Sequence, residues 1–157
     1  MVDNYHQRLS YSSGAIDEIN QTKSSRVEYW ARSFDFLLED HIGVKIFFEF
    51  LKKELCSENL IFWLKCNDYK KNCLNTNGMN DSEQKEVLMQ SARRIYNEHL
   101  CEHSEEQINV DYSVKRNVED RLNQSSICAD IFDDAQKHIY MLMKQDKYGR
   151  FKLSEIY

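Results

Sequence analysis

The chain has 157 residues, 41% hydrophobic and 12% aromatic, with a formal charge of −5 and a pI near 5.6. That is enough apolar material for one globular core, and the acidic balance excludes the basic face that a nucleic-acid binder presents. Five cysteines with no C-x-x-C pair read as reduced thiols rather than a disulfide framework, and no apolar run approaches the roughly 20 residues of a membrane span.

Residues 1–26 are polar, rich in Ser, Asn and Gln, and aperiodic, so they read as a flexible leader. Their first residues carry no apolar signal core. A domain is expected over 27–157. Its first ordered segment opens at Val27–Trp30, and a short helix follows with Phe34, Leu37 and Leu38 on one face. Gly43 is expected to break the chain before Val44, Phe47, Phe48 and Leu51, which recur at helical spacing. A polar corner, Glu54 to Asn59, comes next, with Ser57 as a cap. It leads into a helix from Glu58 to about Lys71 that buries Leu60, Trp63 and Leu64.

Asn72 to Asp81, with its Asn77-Gly78 pair, reads as a loop because both flanks have helical period. Asp81 and Gln84 have capping-box spacing for a long helix striped by Leu88, Ala92, Ile95 and His99. Asp111 is a candidate N-cap for a helix carrying Val114, Val118 and Leu122. The cleanest stripe runs from Cys128 through Ile131, Phe132, Ala135, Ile139 and Leu142 to Met143, four turns of one helix. A short turn is expected over 151–157. With no proline and only four glycines, the fold class is all-α.

The chemistry of an enzyme is missing. The sequence contains no phosphate-cradling glycine loop, no H-E-x-x-H and no G-x-S-x-G. His99, Cys101 and His103 alternate as H-x-C-x-H, but with no fourth ligand in view they read as a solvated helix end, not a metal site. No cofactor is expected. Lys52, Lys53, Lys65, Lys70 and Lys71 read as solvated helix faces, with weak attraction to an anionic membrane as the sharper alternative. The corner with Glu58 and Asn59 on a first helical turn points to recognition rather than catalysis.

With the helices placed, Trp30–Leu38, Gly43–Leu51, Glu58-Asn59 with Phe62-Trp63, Ile95-Tyr96, Ile108–Asp111, Ala135-Gln136 with Ile139-Tyr140, and Asp146–Phe151 together resemble the regulator-of-G-protein-signalling (RGS) domain. The resemblance runs from about residue 28 to 157 and is nearest to small members that act on inhibitory-class Gα subunits. It implies about nine helices, an antiparallel four-helix bundle plus a subdomain formed by the N- and C-terminal helices. It also implies a GTPase-activating protein for activated heterotrimeric Gα, of the inhibitory or Gq class, without a catalytic centre of its own. Such a protein attenuates receptor signalling. It would be a monomer in the cytoplasm, recruited to the inner face of the plasma membrane and compatible with peripheral membrane association.

By the same resemblance the Gα switches would be gripped by Glu54, Cys56, Glu58, Asn59, Asn109, Leu142, Asp146, Lys147 and Arg150. Asp146, Arg150, Glu58 and Leu142 would line a pocket for a switch threonine. The plain structural alternative for Arg150 is a surface salt bridge to Asp146. The chain departs from the family at Cys56, where serine is common, and at Ser57, where an acidic residue is usual. It departs again at Lys147, where a small hydroxyl is typical, and at Gly149, which frees the backbone before Arg150. Cys66 sits where some members carry a lipidated cysteine, and here it reads as a buried thiol. The rival function is an RGS-like scaffold that binds a non-Gα protein or peptide.

Overall fold

The computed structural model describes residues 25–74, 81–125 and 127–157, and among them every regular element is helical. Helix α1 covers 25–32, so residues 25 and 26 are helical. It is followed by α2 (Phe34–Glu39), α3 (His41–Lys53), α4 (Glu58–Leu74), α5 (Asp81–His99), α6 (Tyr112–Asn123), α7 (Asp133–Leu142) and the short α8 (Tyr148–Phe151). A wider π turn, Met143–Lys147, joins α7 to α8. The Asn77-Gly78 turn lies outside the described residues.

The chain divides into two compact units. One is built from the segment ending at Ser57 together with Leu142–Tyr157, and the other is continuous from Glu58 to Met141. The expected subdomain of chain ends is therefore present, and the second unit holds the four helices α4–α7.

In the first unit, Ser33 starts α2 by accepting from the Phe36 amide at 3.2 Å. Asp40 starts α3 by accepting from the Ile42 amide at 2.9 Å. The same carboxylate takes the Arg26 guanidinium at 3.0 Å and the Trp30 indole N–H at 3.2 Å. Gly43 does not break the chain but lies inside α3, where a Cβ would meet the Leu37 carbonyl oxygen at 2.7 Å and the Trp30 indole nitrogen at 3.0 Å. Its missing side chain is what lets the Trp30 and Leu37 segments approach so closely. Phe34, Phe47 and Phe151 form an edge-to-face chain with centroids 5.5 and 5.2 Å apart, and Tyr157 continues it at 5.0 Å. The Tyr148 hydroxyl donates to the Trp30 carbonyl, and the Tyr157 hydroxyl donates to the Val27 carbonyl at 2.7 Å.

In the second unit α5 packs on both α4 and α6. The α4 register differs from the expected one. Leu60 is buried as expected, but Ile61, Phe62, Cys66 and Tyr69 complete the buried face while Trp63 and Leu64 stay half-exposed. Five consecutive apolar residues, Leu60 to Leu64, leave the spacing ambiguous, and packing decides it. Phe62 and Tyr69 meet Phe132 edge-on. Gln136 locks α7 to α4 by donating to the Trp63 carbonyl at 3.1 Å and to Asn67 at 2.7 Å. The stripe expected to be four helical turns from Cys128 is shorter. Cys128 is exposed, residues 129–132 form turns, and α7 begins only at Asp133. Asp111 occupies the N-cap of α6 but makes no side-chain capping bond.

Candidate functional site

The corner after α3 is a helix stop made without glycine. The Leu55 amide bonds the Lys52 carbonyl at 3.1 Å, and the Cys56 amide reaches back to the Leu51 carbonyl at 3.0 Å. This pair of bonds requires the residue between them to be left-handed, a role that glycine usually takes. Here Leu55 takes it, with φ of 56°, and its side chain is 91% exposed. A branched residue in that conformation costs about 1 kcal/mol, and its exposure recovers nothing in the free chain.

Glu54, the last residue of that helix end, organises the charges that α8 and the π turn deliver. Arg150 grips its carboxylate with both terminal nitrogens, at 2.9 and 2.7 Å. The Lys147 ammonium sits 3.6 Å from Glu54 and 3.1 Å from Asp146. Burial works against the Lys147 charge, but the Asp146 hydrogen bond and the nearby Cys56, Asp146 and Glu54 outweigh it and hold its pKa above the ordinary value. The Asp146 side chain remains 65% exposed. The alternative Arg150–Asp146 bridge is thus not formed: Arg150 pairs with Glu54, and Asp146 pairs with Lys147. Gly149 does not loosen Arg150, because the two-point grip of Glu54 fixes the guanidinium plane.

The π turn sets this arrangement. Its wide hydrogen bond runs from the Tyr148 amide to the Met143 carbonyl. Met143, Tyr148 and Phe151 are all buried, so the inward spacing lengthens from four residues to five at this point. Without the extra residue, Lys147 would take the inward position that Tyr148 fills. Leu142, half-buried, stands just before the turn.

Other candidate residues belong to the second unit. Glu58 opens α4 and accepts from the Asn59 side-chain amide at 3.3 Å, and Asn59 itself is buried. Asn109 lies in the loop between α5 and α6, exposed between buried Ile108 and Val110. That loop is pinned to the end of α5 at several points. The Ile108 amide bonds the His99 carbonyl at 2.9 Å, the Ser104 hydroxyl donates to the Glu98 carbonyl, and His99 Nδ1 meets the Glu106 carbonyl at 2.9 Å.

His99 is therefore no solvated helix end. It is fully buried, edge-on to Phe62, and its Nε2 has no partner among the described residues. A carbonyl only accepts, so Nδ1 carries the proton in the neutral ring. Burial, followed by the nearby Lys65 charge, depresses its pKa below 6.5. The lysines read as a solvated face are also partly committed. Lys65 is buried and bonds Glu98 at 2.7 Å, and Lys70 bonds Asp133 at 2.6 Å. No described helix is long and apolar enough to cross a membrane.

Sequence reasoning passed over Leu55 and gave His99 two incompatible readings, a buried stripe and a solvated helix end. The signal for Leu55 was a helix stop with no glycine. For His99 it was a histidine in register with Ala92 and Ile95.

Among the described residues the regular elements are all helical, and the corner after α3 gathers paired polar groups at helix ends. The model of the regulator of G protein signaling domain matches residues 33–157. The chain is 38% identical over 148 residues to "Regulator of G-protein signaling 1" of Xenopus tropicalis, covering 94% of this chain and 68% of that protein. It is 39% identical over 128 residues to "Regulator of G-protein signaling loco" of Drosophila melanogaster, covering 82% of this chain but 8% of that one. It is 31% identical over 148 residues to the human "Regulator of G-protein signaling 18", covering 94% and 58%. This chain belongs to the regulator of G-protein signaling family.

Proposed function

We propose that the chain is a GTPase-activating protein for activated heterotrimeric Gα subunits of the inhibitory or Gq class. It would act by holding the Gα switch segments in their transition-state arrangement and would contribute no catalytic centre of its own. The observation that carries this reading is the prearranged polar corner on Glu54, in a chain of the RGS family. Arg150 and Lys147 are already oriented by Glu54, so little side-chain entropy is left to lose on binding.

A Gα subunit carries its own arginine and its own water-orienting glutamine, so its activator needs only to immobilise them. Acceleration of about a hundredfold requires about 2.7 kcal/mol of preferential transition-state binding, which a few hydrogen bonds supply. Asn109 offers one acceptor and two donors from a pinned loop, which suits bracing a glutamine side chain. Asp146 offers an exposed carboxylate to a switch hydroxyl or amide, with Glu58 and Asn59 as further polar contacts. Leu55 and Leu142 supply apolar contact, and Cys56 follows Leu55 in the corner. The place of action would be the inner face of the plasma membrane, where Gα resides.

The test is single-turnover GTP hydrolysis by purified inhibitory-class and Gq-class Gα. The wild-type chain should accelerate it, and Asn109→Ala should lower the acceleration tenfold or more at unchanged Tm. No acceleration of any subunit, with no preference for the transition-state-mimicking form, would transfer the reading to a scaffold that kept the fold.

A further inference from the structure

Arg150, Glu54, Lys147 and Asp146 form a row of alternating charge within one compact unit. Arg150 meets Glu54 at 2.9 and 2.7 Å, and the Lys147 ammonium stands 3.6 Å from Glu54 and 3.1 Å from Asp146 Oδ2. Exposure is uneven along the row. The side chains of Asp146 and Arg150 are 65% and 58% exposed, whereas that of Lys147 is only 14% exposed. A partner that settles on the corner therefore meets Asp146 and Arg150 and touches little of Lys147.

The Asp146–Lys147 pair is not what an α-helix provides. Adjacent helical residues point about 100° apart and do not face each other. Here they are the last two residues of the π turn Met143–Lys147. Lys147 has φ of −105°, against −60° for Leu142 and −62° for Tyr148 on either side of the turn. The wider backbone sends Tyr148 inward and leaves the Lys147 stem to run between two carboxylates. Single π turns inside helical segments often stand at functional positions.

We propose that Lys147 is a positioning residue for the Gα contact: it ties Asp146 to the Glu54 corner, so that the exposed carboxylate is already aimed when a neutral hydroxyl or amide of a switch segment reaches it. The proposal rests on the GTPase-activating reading above. An untethered aspartate on an exposed turn samples its rotamers and must be ordered on binding, which weakens the complex. Lys147 does that ordering in the free chain. Its charge also brings the row to two cations and two anions, so a neutral donor meets a carboxylate that is already partnered. The arginine and glutamine of Gα carry the hydrolysis step with or without this tether. Its signature is therefore on affinity more than on the rate at saturation.

The experiment is a double-mutant cycle on single-turnover GTP hydrolysis, with the full chain titrated to saturation against inhibitory-class and Gq-class Gα. The four chains are wild type, Lys147→Met, Asp146→Asn and the double variant. Lys147→Met should raise the half-saturating concentration about fivefold, with a smaller change in the plateau rate. Asp146→Asn should raise it about tenfold, and the double variant should stay near that same tenfold because the tether has nothing left to hold. Lys147→Arg, which restores a cation beside Asp146, should return to within about twofold of wild type. A double variant near about fiftyfold, the product of the single losses, would mean that Lys147 meets Gα on its own account and would overturn the proposal. So would a Lys147→Met chain with wild-type half-saturation, or one whose loss is confined to the plateau. A wild-type chain that accelerates no subunit overturns the GTPase-activating reading and the proposal with it, so the wild-type curve tells the two failures apart. Should Lys147→Met lose its cooperative thermal transition, Lys147→Gln takes its place in the cycle.

Discussion

His99 shows how one side chain fixes a loop several residues away. Its Nδ1 proton holds the Glu106 carbonyl, its own carbonyl holds Ile108, and Asn109 follows directly. The charged ring is disfavoured here because protonation would place a second N–H in a buried spot beside Lys65, with Glu98 and Glu106 only partly compensating. The sign follows from the direction of the shift. A folded-state pKa below 6.5 means that the unfolded chain binds the proton more readily. The His99 contribution is complete above about pH 6.5 and is lost as the pH falls through the folded-state value. Urea midpoints measured at about pH 7.5 and pH 5.5 should therefore fall further for the wild-type chain than for His99→Phe. Equal declines would mean that His99 does not titrate between these conditions. The sequence placed His99 on the correct helical stripe, yet the H-x-C-x-H pattern invited a solvated reading. Periodicity gives the face a residue occupies, whereas the partner of a buried polar group depends on a loop whose path has no period.

At the scale of elements, two positions separate backbone demand from packing. Gly43 lies in a helix, where replacing glycine by alanine ordinarily gains up to about 1 kcal/mol. The contact of 2.7 Å with the Leu37 carbonyl reverses that gain. Gly43→Ala should destabilise the chain by about 2 kcal/mol, whereas Gly149→Ala, whose Cβ meets nothing within 4 Å, should stabilise it by about 0.5–1 kcal/mol. Denaturant midpoints test both. Leu55 is the converse case, a side chain where the backbone asks for none. Leu55→Gly should stabilise the chain by about 1 kcal/mol and, on the proposed function, weaken Gα binding several-fold. Unchanged affinity in a binding titration would reduce Leu55 to a tolerated local cost.

Helices α2 to α7 were legible because apolar spacing carries them, whereas α1 was read only as an ordered opening and the short α8 was not separated. What was not legible arose where spacing alone is insufficient. The run Leu60–Leu64 fits more than one face. The stripe from Cys128 continued past a point where the backbone turns before Asp133. The π turn after Leu142 resets the inward positions by one residue. That last shift explains why Arg150 pairs with Glu54 and Asp146 with Lys147, rather than Arg150 with Asp146. A one-residue change in register exchanges the neighbours of every charge beyond it.

For the molecule as a whole, the hydroxyls of Tyr148 and Tyr157 matter more than their size suggests. They bond carbonyls of Trp30 and Val27, 118 and 130 residues away in the chain. Tyr157→Ala removes one such bond together with ring contacts to Phe151 and Trp30 at 5.0 and 6.4 Å. The loss should be about 2–3 kcal/mol by chemical denaturation, and Tyr157→Phe should recover most of it. Native-state hydrogen exchange should show α1 and the segment after Tyr148 opening together in both variants.

That same closure dictates an order of events during synthesis. The unit spanning Glu58–Met141 is continuous, so its partners are all available once that stretch has been made. The unit that carries Glu54 and Arg150 has its two strands of sequence more than eighty residues apart, and its aromatic chain stays incomplete until Phe151 and Tyr157 are translated. While the ribosome works through α4–α7, Phe34, Phe47 and Trp30 wait with their apolar faces uncovered. The unit that carries the Glu54 corner is thus the last to be completed, and until then its apolar residues lack their late-made partners.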